Sequence, residues 1–162
     1  MVDLVVGEID LPRTDVAWRV AMHEVAVSTR AILGDHPWAI GLLDSRKAPG
    51  PVRLAHLDAV IGCLRKAGFS IAMAAHAMAV LDSYVRGFAL QEHVLPSNDG
   101  DMTDATQEIM AQQVAFTESF PHLAEMAGDL VLQPGYAFGN EFLWGLELVL
   151  DGIEARQSSS PA

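Results

Sequence analysis

Two stretches of the chain, residues 70–95 and 136–156, are apolar on more than one side when laid out at helical spacing. In the first, Ile71, Ala74, Ala75, Met78, Val85 and Ala89 form one stripe, and Met73, Ala77, Val80, Tyr84 and Gly87 form a second. In the other, Phe138, Phe142, Gly145, Val149 and Gly152 line one side, with Gly139, Leu143, Leu146, Leu150 and Ile153 beside them. Its polar stripe, Asn140, Glu147, Asp151 and Glu154, is narrow. A helix with so wide an apolar face has to be covered on both sides. In 162 residues, enough for one domain with a single core, the economical cover is the same surface of a second subunit. The alternative is that both helices occupy the centre of a monomeric bundle. Gly145 and Gly152 lie seven apart and share a face, where a neighbouring helix can approach closely.

The rest of the chain reads as all-α. Strand signals are weak, with no Asn-Gly hairpin and little strict alternation. Thr14 is expected to cap a helix starting at Asp15, with the stripe Trp18, Met22, Val25, Ala26 and Leu33, and Gly34 to end it in a left-handed conformation. Pro37 sits in the first turn of a short helix, and Pro51 opens one that stops at Gly68. Ser70 caps the next, which Pro96 closes. Residues 96–103 form an acidic loop, a helix is expected over 104–119, and Phe120-Pro121 breaks it. Residues 133–135 make a turn, and the tail 157–162 is expected to fray.

Charge removes whole classes of function. With 10 Lys and Arg against 21 Asp and Glu, the net charge is −11. Such a chain repels phosphate backbones and lacks a basic stripe for an anionic membrane surface. The first ten residues reject a signal peptide, because acids interrupt the short apolar run. The longest apolar stretch, residues 69–81, is too short to span a bilayer. The expected compartment is therefore the cytoplasm. The single cysteine, Cys63, rules out a disulfide within the chain and a thiolate zinc site of its own.

Catalytic motifs are absent. The six histidines, at 23, 36, 56, 76, 93 and 122, include no pair three or four apart, so no helix offers two of them to a metal. They are expected to be surface or capping residues. There is no phosphate-cradling loop, nucleophile elbow or dinucleotide fingerprint. We expect no enzyme, no cofactor and no metal. Polar residues inside apolar stripes say more. Thr29 continues the Trp18–Met22–Val25 stripe, and it either bonds back to the carbonyl of Val25 or Ala26 or faces a ligand. Asp82 falls on the stripe of Ala75, Met78 and Val85, where a carboxylate needs a partner, either Arg86 four residues on or a ligand. Asp44 either neutralises Arg46 and Lys47 or joins Thr29 and Asp82 as a polar point in an apolar pocket.

An ordered set of residues carries a family likeness. It runs from Trp18-Arg19 and Arg30, through His36-Pro37-Trp38 and the segment 67–70 (Ala-Gly-Phe-Ser), to residues 84–92 and 142–154. Over about residues 2–157 the chain resembles the C-terminal effector-binding and dimerisation domain of TetR-family transcriptional repressors, in the tetracycline-repressor subgroup. The resemblance implies an antiparallel helical bundle over residues 13–156, preceded by the remnant of a linker helix in residues 1–12. It implies a homodimer joined through a four-helix bundle by Val80, Tyr84, Gly87, Phe142, Gly145, Leu146, Val149 and Gly152. It also implies a small-molecule effector between the helices at 14–33, 51–67 and 70–95. That pocket is expected to be lined by Val25, Thr29, Leu57, Val60, Met78 and Asp82, with Asp44 near its mouth. Asp82, an acid on a buried stripe, is expected to meet either a cationic or hydrogen-donating effector or Arg86. DNA would be reached only through an N-terminal helix-turn-helix domain, which none of these residues resembles. The magnesium-binding histidine of the tetracycline repressor falls at Asp44, its water-linked glutamate at Gln91, and its pocket asparagine and phenylalanine at Val25 and Thr29. With none retained, a tetracycline–magnesium chelate is not the expected ligand. The competing function is a stand-alone small-molecule binder or an enzyme on the same scaffold.

Overall fold

The computed structural model describes residues 2–45, 50–95 and 120–159. Every regular element among them is helical. The chain divides into two compact units, one of Met1–Val94 with Phe142–Ala162 and one of Leu95–Glu141. The expected loop at 96–103 and helix at 104–119 lie outside the described residues.

The larger unit holds α1 (Val2–Glu8), α2 (Trp18–Asp35), α3 (Pro37–Ser45), α4 (Pro51–Lys66), α5 (Ile71–Val94) and nearly all of the final helix. Helix α2 packs along α5, α4 lies against both, and α1 rests on α4 and α3. Val5, Val6, Leu33, Ala39, Ile40 and Ala89 form one buried cluster. Through it, α1 is part of the core and not a loose leader.

Local chemistry sets the boundaries. Helix α2 starts at Trp18, three residues later than expected, and Ala17 precedes it in an extended conformation without a side-chain cap. The Thr14 cap is not used. Asp15 is instead held by two hydrogen bonds from Arg13, at 3.1 and 2.8 Å, which keep this segment in a bend. Asp10 N–H donates to Ser28 Oγ at 3.0 Å and pins the same segment to the side of α2. Gly34 does not terminate the helix. The chain continues to Asp35, and His36 (φ −128°) breaks it, because the ring of Pro37 disfavours helical geometry in the residue before it.

Between α4 and α5 the punctuation is as expected. Gly68 takes φ 89°. Phe69 N–H reaches back to Leu64 C=O and Gly68 N–H to Arg65 C=O, which closes α4 as a Schellman turn. That turn drives Phe69 into the core, where its ring meets Trp18 edge-on at 5.0 Å. Ser70 Oγ then accepts from Met73 N–H at 3.1 Å and caps α5.

The smaller unit contains α6 (Pro121–Met126), a π-helical turn over Ala127–Val131 and a 3-10 turn over Phe138–Asn140. Gly135 turns the chain at φ 87°. Phe120, Leu123, Met126, Leu130 and Leu132 are all exposed.

The last helix, α7 (Glu141–Ser159), starts five residues later than expected and ends three later. Residues 157–159 do not fray. Gln157 donates its side-chain amide to Ala67 C=O at 3.0 Å and ties the end of α7 to the α4–α5 turn. Phe142, Leu146 and Leu150 are completely buried within this chain. Phe142 and Leu146 were expected at a dimer interface, but they face inward because Tyr84, Phe88 and Phe142 form an aromatic cluster. Ring separations in it are 5.2–6.0 Å, and Tyr84 Oη donates to Phe142 C=O at 2.8 Å. Gly145 lies so close to the Tyr84 hydroxyl that a Cβ there would overlap it, so this glycine serves an approach within the chain.

Candidate functional site: a cavity between α2, α4 and α5

Where α4 crosses α2 and α5, the side chains do not fill the space. A cavity of about 70 Å³ remains, lined by Met22, Val25, Ala26 and Thr29 from α2, His56, Leu57 and Val60 from α4, and Met78, Leu81, Asp82 and Val85 from α5. Each helix brings residues of one face. Met22, Val25, Ala26 and Thr29 are spaced by three and four, as are His56 and Val60, and Met78, Asp82 and Val85, and such residues stack on one side of a helix. The wall consists mostly of alanine, valine, leucine and methionine, the usual composition of a small-molecule pocket.

Six of the seven residues singled out from the sequence, Val25, Thr29, Leu57, Val60, Met78 and Asp82, meet in this wall. The seventh, Asp44, belongs to α3, but its side chain lies outside those described. Met22, Ala26, Leu81 and Val85 were not singled out, though the same helical periodicity carries them. His56 was also passed over, as one more surface histidine. Its position four residues before Val60 was the available signal.

The polar groups of the wall differ in how they are occupied. Thr29 Oγ1 donates to Val25 C=O at 2.7 Å, which removes its proton from the cavity. Arg86 hydrogen-bonds Asp82, an i,i+4 pair in which the carboxylate keeps about 41% of its surface. Asp82 is therefore not a bare buried charge waiting for a cation. His56 makes no hydrogen bond to any described residue, and its Nδ1 is shut off from solvent. Burial holds the His56 pKa below its ordinary value, and the attraction of Asp82 offsets this only in part. The ring is neutral at pH 7 and can both donate and accept.

Elsewhere the charged side chains act as ties. Arg30 binds Glu92 with N–O separations of 2.5 and 2.9 Å and lies over the rings of Phe88 and Phe142, at 5.3 and 4.7 Å. Arg19 reaches Glu147, Asp151 and Glu154 of α7 at 2.5, 2.7 and 3.5 Å. Burial opposes its charge, but Glu147 and Asp151 outweigh it and raise the pKa. Burial also pushes the Cys63 thiol up, against a weaker pull from Lys66, which makes it a poor nucleophile at neutral pH. Among the described residues no three His, Cys, Asp or Glu are placed to hold a metal ion, and no helix is long and apolar enough to cross a membrane.

Residues 11–157 match the domain family described as "Tetracyclin repressor-like, C-terminal domain". The chain belongs to this family. Its relatives include the HTH-type transcriptional repressor DrrR1 of Streptomyces coeruleorubidus, 27% identical over 95% of this chain and 60% of the relative. Another is an HTH-type transcriptional regulator of Saccharopolyspora erythraea, 33% identical over 75% of this chain and 51% of the relative. The chain thus spans between half and three-fifths of the length of these two regulators. Among solved structures, a possible TetR family transcriptional regulator from Streptomyces coelicolor A3(2) superposes with a TM-score of 0.68 at 28% identity, covering 95% of this chain and 72% of that one. The Streptomyces coelicolor TetR family protein ActR, in complex with actinorhodin, gives a TM-score of 0.75 at 22% identity, covering 96% and 73%. The all-helical TetR-family C-terminal fold expected from the sequence is therefore the fold of this domain.

Proposed function

We propose that the chain is the effector-binding and dimerisation domain of a TetR-type transcriptional regulator, and that the effector is a small, largely apolar molecule held between α2, α4 and α5. The cavity carries this reading, because three helices turn their apolar faces toward one hollow and leave it unfilled. A protein of the same fold, ActR, holds actinorhodin. The cavity's volume of about 70 Å³ is well below the roughly 300–1,000 Å³ of ordinary ligand pockets, so an effector of ordinary size parts the helices as it enters. Helix α4 is the element whose displacement travels. It carries His56, Leu57 and Val60 on the cavity side and supports α1. The Asp3 carboxylate of α1 lies directly against Gly50 at the start of α4. An effector that binds better to the parted arrangement shifts α1, and with it any DNA-reading domain joined there, through differential affinity for two states.

Dimerisation uses the outward faces of α5 and α7. Val80 and Leu90 on α5 and Leu143, Trp144 and Leu148 on α7 are exposed apolar residues, with Trp144 68% exposed. They replace Phe142 and Leu146 in the expected interface, while Val80, Gly87, Val149 and Gly152 keep their place in it. The acid excess keeps the isolated chain off DNA, and the reading implies a cytoplasmic protein with neither catalysis nor a resident cofactor. Two measurements test it. Sedimentation at micromolar concentration should give a dimer, and a monomer there removes the dimerisation half. A thermal-shift screen of aromatic small molecules should give hits whose crystal complexes occupy this cavity. Hits that all seat elsewhere remove the effector half.

A further inference from the structure

We propose that His56 is the polar recognition point of the cavity and selects effectors that present a neutral hydroxyl, phenolic or alcoholic, on an apolar frame. This rests on the cavity being the effector site. It goes further by naming the residue that reads the ligand and the chemistry that it reads.

The argument is one of elimination among the wall's polar groups. Thr29 is committed to Val25 C=O, and Asp82 is held by Arg86. Only the imidazole of His56 has no hydrogen-bond partner among the described residues, and its Nδ1 is sealed from water. A polar group left in that state costs free energy, and a bound partner recovers it. Nδ1 is sealed from the unfilled space as well as from solvent, so a ligand's polar group reaches it as the helices part.

The ligand's charge follows from the neighbours. The Asp82 carboxylate faces the same cavity, so an anionic ligand meets repulsion. Arg86 neutralises much of that carboxylate, so a cationic ligand gains less than a bare acid would offer. A neutral imidazole offers one donor and one acceptor, and a hydroxyl complements both. Met22 and Met78 also line the cavity, and their unbranched side chains are the parts of the wall that yield most readily to a ring.

The test uses phenol and toluene, which share a shape and differ by a hydroxyl in place of a methyl group. Benzylammonium and benzoate serve as the charged members. Each is titrated into the intact chain while the methyl resonances of Met22 and Met78 are followed. The expected result is that phenol binds about tenfold more tightly than toluene, the scale of one buried hydrogen bond, with benzoate the weakest. His56→Leu should erase that preference by weakening phenol alone, and His56→Gln, which keeps a donor and an acceptor, should restore part of it. Equal binding of phenol and toluene, or a preference that survives His56→Leu, overturns the role of His56 while leaving the cavity as the effector site. Benzylammonium binding most tightly overturns it in favour of Asp82. No saturable binding by any of the four overturns both this inference and the effector reading beneath it.

Discussion

Among the junctions that helices α2 and α5 make, those with α7 and with α4 are built in opposite ways. Where they meet α7, the space is filled. Phe88 and Phe142 pack edge to face, Arg30 lies across both rings, and Glu92 fixes Arg30 from the far side. Where they meet α4, the corresponding positions carry Val25, Ala26, Val60 and Met78, and a hollow remains. The difference shows in side-chain volume and stiffness. Planar rings clamped by a guanidinium resist displacement, whereas small and unbranched residues leave room and bend. The proposed function uses both, a fixed junction against which force is exerted and a soft one where a ligand enters.

The largest effect should come from removing the filled junction. Phe142→Ala should cost about 3–5 kcal/mol, the range for deleting a buried aromatic ring, read as a lowered urea midpoint. Next, Arg30→Met removes the guanidinium from two rings and leaves Glu92 unpaired. Because both ionic groups are only partly buried, the expected loss is about 1–2 kcal/mol. Ala26→Leu attacks the comparison from the other side by filling the hollow. Stability should change by less than about 1.5 kcal/mol, while toluene binding falls at least about tenfold, as expected when the ligand's volume is occupied; unchanged binding would place the ligand elsewhere.

The smallest effect is a pH dependence. The folded-state pKa of His56 is depressed, so in the window below the unfolded pKa of about 6.5 the unfolded chain takes up the proton more readily. His56 therefore contributes no penalty above that pH, and a growing one as pH falls toward its folded pKa. His56→Leu should flatten the thermal stability profile below about pH 6.5 relative to the parent chain. An unaltered profile would show that this ring does not titrate in a buried setting.

Much of this was legible in the sequence because it rests on local rules. Proline at 37 and 51, glycine at 68 and serine at 70 punctuate the helices where the sequence places them, since each acts through its own backbone or side chain. Of the cavity, Thr29 and Asp82 on the apolar stripes of α2 and α5 were legible locally, whereas the pocket as a whole was an expectation from the family resemblance. Competition between neighbouring signals was not legible. Thr14 loses its capping role because Arg13 claims Asp15, and Gly34 loses its role because Pro37 stops the helix first. The two apolar sides of α7 could not be told apart from spacing alone. The aromatic cluster with Tyr84 and Phe88 decides which side turns inward, and that contact spans more than fifty residues. The place of His56 on the cavity face could have been read from its spacing to Val60, but its lack of a hydrogen-bond partner has no sequence signature.

The central claim is that a ligand enters the soft junction and leaves the filled one undisturbed. The most direct test is a toluene titration of the intact chain, following the methyl groups of Met22, Met78, Leu146 and Leu150 together. The account predicts saturable shifts at Met22 and Met78 with one common dissociation constant, and none at Leu146 or Leu150. Saturating shifts at Leu146 and Leu150, with Met22 and Met78 unmoved, would contradict it.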